Sequence, residues 1–131
     1  MFEISLNQVD AFVFDFDGVL TDNTVLVNNK GEEQVICSRS DGLAFDVLRS
    51  LNKSCYILST EKNDVVKQRA NKLNLEVLFG QEDKLVSLKQ IVKENNLNID
   101  SIFYVGNDLN DYLVMKECGY TACPSDSHSK I

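Results

Sequence analysis

Residues Ala11 to Asp22, AFVFDFDGVLTD, decide how this chain is read. Ala11, Phe12, Val13 and Phe14 form an uninterrupted apolar run, which predicts a strand buried on both faces, since a half-exposed strand alternates with polar residues. Asp15 and Asp17 follow where that strand leaves its sheet, and side chains two apart on extended backbone point the same way. Two acids beside an apolar wall repel each other and resist desolvation, so they call for a cation or a shared proton. The plain alternative is that they solvate a strand end. Gly18 allows a sharp turn immediately after them.

Downstream, the pattern is strand alternating with helix. Ser54 to Leu58 (SCYIL) and Ile102 to Val105 (IFYV) are further core strands, and Glu76 to Leu78 and Tyr120 to Ala122 are shorter ones. Helices fall between them. One opens at Ser40-Asp41-Gly42, with Leu43, Val47, Leu48 and Leu51 at helical spacing. Another runs from Asn63 to Leu73 with Val65, Val66, Ala70 and Leu73 inward, and a third follows Asp83-Lys84 with Leu85, Leu88, Ile91 and Val92 as its stripe. Such alternation predicts an α/β fold, a doubly wound parallel sheet with helices on both faces. Ligands of these sheets bind outside the carboxyl ends of the strands. Asp15, Asp17, Ser59, Asn107 and Asp108 all fall at that edge, which is hard to explain as a set of unrelated helix caps.

Each strand end has its own chemistry. Ser59-Thr60-Glu61 offers a hydroxyl and backbone N–H groups just before a helix, which makes either a phosphate cradle or an ordinary cap. Gly106-Asn107-Asp108-Leu109-Asn110-Asp111 clusters carboxylates and amides that, aimed at the first acid pair, complete an oxygen-rich metal site. Lys84 opposes the dipole of the helix it begins, a local conflict of the kind found at functional sites, although an isolated Lys is by default exposed. Arg69 lies at the border of its helix face, where a solvated guanidinium is the default.

Thr24 to Cys37 (TVLVNNKGEEQVIC) reads as a β-hairpin turned by Asn28 to Gly31, with Val25 and Val27 on one arm and Val35 and Cys37 on the other. So short a hairpin cannot bury both faces by itself, so it either pairs with copies of the chain or folds flat on its own domain.

The chain has 131 residues, 44% hydrophobic and 25% charged, ordinary values for a single domain over residues 1–131. No apolar run approaches a membrane span, and the N-terminus lacks the layout of a signal peptide, so a cytoplasmic protein is expected. Cys37, Cys55, Cys118 and Cys123 show no CxxC spacing and read as buried free thiols. A formal charge of −7 argues against nucleic acid, and any phosphorylated ligand must be gripped by local positive groups.

DFDGVLTDN resembles the first motif of the haloacid dehalogenase superfamily of phosphotransferases. Ser59, Lys84 and the Gly106–Asp111 segment match its later motifs in order. The whole chain, as far as CPSDSH, is similar to the capless phosphatases of 2-keto-3-deoxy sugar acids. That group covers the 3-deoxy-manno-octulosonate 8-phosphate phosphatases, the nonulosonate 9-phosphate phosphatases and the phosphatase-like domain of CMP-sialic acid synthases. The resemblance implies Asp15 as nucleophile, Asp17 as general acid and base, Ser59 and Lys84 as phosphate ligands, and Asp111 as the residue orienting Lys84 or the metal segment. It implies magnesium on Asp15, Asp17, Asn107 and Asp108, and a homotetramer built through hairpin 24–37. Asn107 departs from the Asp of many relatives, removing a negative charge from the metal site.

Ser59-Thr60-Glu61-Lys62 looks like the nonulosonate branch, with Glu61 and Arg69 meeting the sugar acid. A nonulosonate 9-phosphate is therefore the first expectation and octulosonate 8-phosphate the second. Relatives usually continue past CPSDSH into a tail, which would leave Ser127, His128 and Ser129 as a frayed end. Competing readings are a weakly active oligomerisation module beside a CMP-sialic acid synthase and, less well matched, a receiver domain.

Overall fold

The computed structural model describes residues 3–131. Five parallel strands form the sheet: β1 (Ala11–Phe14), β4 (Ser54–Leu58), β5 (Glu76–Leu78), β6 (Ile102–Val105) and β7 (Tyr120–Ala122), in the order β5-β4-β1-β6-β7. The strand preceding the acid pair is central, with Phe14 opposite Ile57 on one side and Val105 on the other. Its continuous apolar run follows from that position, flanked on both edges and covered on both faces.

The pleat sorts the core into two layers. Ala11, Val13, Tyr56, Leu58, Ile102 and Tyr104 meet Leu88 and Ile91 of α3 (Lys84–Glu94) and Val114 of α4 (Tyr112–Glu117) on one face. On the other, Ile57 and Phe16 meet Phe45 of α1 (Ser40–Ser50) and Val66, Ala70 and Leu73 of α2 (Val65–Leu73). Helices on both faces make the sheet doubly wound, as the alternation predicts.

The face of α1 is a correction. Leu43 and Val47 are 71% and 57% exposed, and the buried residue is Phe45. Two apolar sets interleave on this helix, and the larger ring takes the core position, edge-on to Phe14 at 5.1 Å. Leu48 alone of the expected stripe packs with it.

The hairpin is present as β2 (Leu26–Val27) and β3 (Glu33–Gln34), turned through Asn28–Glu32 with Gly31 at φ +77°. Its inner arm residues Val35 and Cys37 pack beside the α1–α2 layer, while Val25, Leu26, Val27 and Ile36 are exposed. No cysteine is bonded among the described residues. All four thiols are free, as expected, but none is fully buried: Cys37, Cys55 and Cys118 are partly covered and Cys123 is exposed. The carboxyl end is not frayed: the His128 amide donates to the Asn107 carbonyl at 2.9 Å, and Ile131 N–H to His128 O at 2.8 Å. The His128 ring itself belongs to an exposed residue.

Candidate active site

At the carboxyl edge of the sheet the loops after β1, β4 and β6 meet around a cavity of about 290 Å³ lined by Asp15, Asp17, Asn23, Thr60, Asn107, Asp108 and Asn110. Asn110 Nδ2 donates across it to Thr60 Oγ1 at 3.3 Å. Gly18 makes the closeness possible: it sits at φ +80°, and a Cβ there would collide with the Asn107 amide. Any side chain at 18 would push the loops after β1 and β6 apart.

Beneath the cavity lies a buried ionic chain. Lys84 Nζ is 2.7 Å from Asp15 Oδ1 and 2.7 Å from Asp111 Oδ1. The default reading of Lys84 as exposed is thereby overturned: it is 3% exposed, and its charge is paired on two sides, the condition under which a buried cation persists. Asp111 is fully buried and also accepts from Tyr104 Oη at 2.8 Å and, through Oδ2, from the amides of Asn107 and Asp108 at 2.9 and 3.3 Å. It therefore reaches both Lys84 and the Asn107 segment. Gly106 is required beneath it, because a Cβ at 106 would fall 2.6 Å from Asp111 Cγ.

Burial and charge separate the acids. Asp15 is pushed up to about 7, by burial first, with Lys84 pulling the other way. Asp17 is also raised, by burial and then by the charge of Glu61. For Asp111 burial works upward, but the Lys84 charge and its hydrogen bonds win and hold it below the ordinary carboxylate range. Asp15 Oδ1 accepts from Phe16 N–H at 2.7 Å as well as facing Lys84, which leaves Oδ2 as the oxygen free to react.

Ser59 is fully buried at the end of β4 and does not line the cavity. Its Oγ accepts from Glu61 N–H at 3.1 Å, so its O–H is left to donate elsewhere. Thr60 reaches the wall. Glu61 instead lines a second cavity of about 270 Å³ between the hairpin and the β4–α2 loop, shared with Asp17, Asn23, Glu33 and Val35, and its Oε1 accepts from the amides of Lys62 and Asn63. Arg69 is not brought to either cavity. Its Nη2 donates to the Ser38 carbonyl at 2.7 Å and its Nε is buried without a partner, so it braces the start of α1.

Asn23 and Tyr104 were given no role in the sequence reading of the site, and Asn110, read there among the amides of the metal segment, instead donates to Thr60. Asn23 carried a usable signal, since an Asn just past a Gly-containing turn is a candidate for the left-handed region, where it sits at φ +63°.

Among the described residues no three His, Cys, Asp or Glu side chains gather as a metal cage. The cavity wall nevertheless carries oxygen-bearing side chains. Asn107 is 6% exposed with Oδ1 lacking any partner, beside Asp15 and Asp17. A buried amide oxygen left open is costly unless a donor or cation meets it. Carboxylate, carbonyl and amide oxygens suit a hard divalent ion that keeps several waters, as magnesium does. Asp108 is exposed, and its Oδ1 caps the following turn through Leu109 N–H at 2.6 Å. Asn107 therefore fits the direct ligand position better than Asp108.

Fold and site together define a Rossmann-like α/β domain with an aspartate–lysine centre at the switch edge of its sheet. No family model matches the chain. Among solved structures, a protein of Streptomyces avermitilis MA-4680 named for the HAD hydrolase family superposes with a TM-score of 0.92 at 39% identity, covering 95% of this chain and 72% of that one. The 3-deoxy-D-manno-octulosonate 8-phosphate phosphatase of Moraxella catarrhalis, solved with magnesium, phosphate and KDO, gives a TM-score of 0.90 at 25% identity, covering 95% and 72%. The phosphatase of the same name from Yersinia pestis is 29% identical over 122 residues, 92% of this chain and 65% of the relative. The chain thus spans just under two thirds of the length of the curated relatives it matches. It belongs to the haloacid dehalogenase (HAD) family.

Proposed function

We propose that the chain is a magnesium-dependent phosphatase acting on a phosphorylated 2-keto-3-deoxy sugar acid. The observation that carries this reading is the Asp15–Lys84–Asp111 chain beneath a cavity lined by Asp15, Asp17 and Asn107, whose buried Oδ1 has no partner. The names of the Yersinia and Moraxella relatives favour octulosonate 8-phosphate as substrate, ahead of the nonulosonate 9-phosphate that the Ser59–Lys62 segment brings to mind. Arg69, turned toward Ser38, gives the nine-carbon acid no help within one chain.

In this reading Asp15 Oδ2 attacks phosphorus and the bond to the leaving sugar oxygen breaks, giving an aspartyl-phosphate. Asp17, held protonated more readily by burial and by Glu61, gives its proton to that oxygen. It then takes a proton from water, whose oxygen attacks phosphorus and frees Asp15 and inorganic phosphate. Thr60, Asn23 and Asn110 offer hydrogen bonds to phosphate oxygens at the wall, while Lys84, buried behind it, holds the Asp15 carboxylate; neither Lys84 nor Ser59, the expected phosphate ligands, lines the cavity. Magnesium, held by the Asp15 carboxylate, the Asp17 carbonyl and Asn107, would offset charge on the transferring group.

Phosphate release from octulosonate 8-phosphate and from a nonulosonate 9-phosphate, with magnesium or chelator, tests the assignment. Turnover of the eight-carbon substrate that needs magnesium and disappears in Asp15→Asn is expected; equal release by both proteins would refute it. We further propose assembly into a tetramer through hairpin 24–37, supported by its exposed Val25, Leu26, Val27 and Ile36.

A further inference from the structure

Tyr104 is the largest of the fully buried side chains, on the face of β6 that packs toward α3 and α4. Packing alone does not ask for a phenol there. Phe12 and Phe14 of β1 and Phe103 of β6 fill aromatic positions in the sheet without a hydroxyl, and an O–H removed from water costs free energy unless it is paired. The Tyr104 O–H is paired once, with Asp111 Oδ1 at 2.8 Å.

That oxygen is also the one Lys84 holds, at 2.7 Å, and Lys84 in turn holds Asp15. The second oxygen of Asp111 accepts the amides that fix Asn107 and Asp108 at the cavity wall. Four donors from β6, α3 and the following loop thus saturate one buried carboxylate. Each of three leads to working machinery: the Lys84 ammonium and the two loop amides. The fourth, the phenol, leads nowhere else. A turn of the carboxylate about Cβ–Cγ would draw Lys84 off Asp15 and loosen the loop together.

We propose that Tyr104 is a positioning residue, whose O–H sets the rotation of the Asp111 carboxylate and through it the placement of Lys84 and the Asn107–Asp108 amides. Tyr104 does not line the cavity and acts only through Asp111. The catalytic consequence rests on the phosphatase reading above; the geometric one does not.

Tyr104→Phe keeps the ring and removes only the donor, and two readouts separate the possibilities. In amide NMR spectra the Asn107 and Asp108 protons should move upfield as their bonds to Asp111 lengthen, while Val13, opposite Tyr104 in β1, stays in place. In steady-state assays of octulosonate 8-phosphate, kcat should fall about tenfold with KM within about twofold, the scale of losing a group that orients ligands. Unmoved Asn107 and Asp108 amides overturn the proposal, as does an active variant with full kcat whose only defect is a lower Tm. Should the wild type release no phosphate, the phosphatase reading fails, and the amide resonances alone decide the role of Tyr104.

Discussion

The acids of the site differ in what they do to stability, and Asp15 makes the clearest case. Its carboxyl titrates near 3.8 when unfolded and near 7 when folded, because burial outweighs the help from Lys84. Between those values the metal-free native state binds more protons than the unfolded chain, so stability falls as pH rises through the window, by up to about 1.4 kcal/mol per pH unit. Asp111, held low, titrates beneath the window and adds no slope there. Urea unfolding in chelator from about pH 5 to about pH 7 should show Asp15→Asn gaining on the wild type at each step; parallel curves would contradict the assignment. The same substitution should lower kcat by a factor on the order of a thousand or more, as removal of a nucleophile does. Asn107→Asp restores a charge beside the open cavity, worth up to about 4 kcal/mol at contact before repulsion from Asp15 and Asp17 is subtracted. Calorimetric titration should show magnesium binding tighter by about tenfold; unchanged affinity would remove Asn107 from the ligand set. The placement of Asp15, Asp17 and Asn107 at the cavity was legible in the sequence because the carboxyl end of a parallel strand is fixed by topology, whereas Ser59, at the same edge, is buried outside the lining. The burial of Lys84 and Asp111 was not legible in the local pattern, since a pairing across 27 residues leaves no trace there, although the family resemblance had set Asp111 to orient Lys84.

At the scale of elements, sequence periodicity found every core strand and misjudged one helix face. On α1 the helical spacing of Leu43 and Val47 is real, but Phe45 competes for the sheet and wins by size, leaving the other two outside. Periodicity counts apolar residues and does not weigh their volumes. The hairpin was legible through its Asn-rich turn, and its exposed apolar arms give it a role to test. Leu26 and Ile36 are 68% and 70% exposed, so Leu26→Lys with Ile36→Lys should alter the fold of the single chain by no more than about 0.5 kcal/mol each. Sedimentation velocity should show the assembly reduced to smaller, still folded species. A wild type that already sediments as a monomer would retire the tetramer.

For the whole molecule, charge sets the terms on which a substrate arrives. Twenty acidic residues against thirteen basic give −7, and neither cavity at the sheet edge is lined by a Lys or Arg. Lys84 lies below the floor with its charge already shared between Asp15 and Asp111. A sugar-acid phosphate carries negative charge on its carboxylate and its phosphoryl group, so at long range it meets repulsion, and attraction begins only near a bound cation and the polar groups of Thr60, Asn23 and Asn110 at the wall. Long-range repulsion between exposed charges is screened beyond the Debye length, about 10 Å at 0.1 M salt, whereas the short buried contacts are screened much less. Raising sodium chloride from about 20 to about 200 mM at fixed free magnesium should therefore increase kcat/KM by a few-fold, with kcat nearly constant, opposite in sign to an enzyme that steers an anion through a basic field. Neutralising Glu33 and Glu61 together to Gln, at the acidic second cavity, should raise kcat/KM at low salt and flatten the salt dependence. A kcat/KM that falls with salt in the wild type would mean that a positive surface, supplied by another copy of the chain, governs the approach.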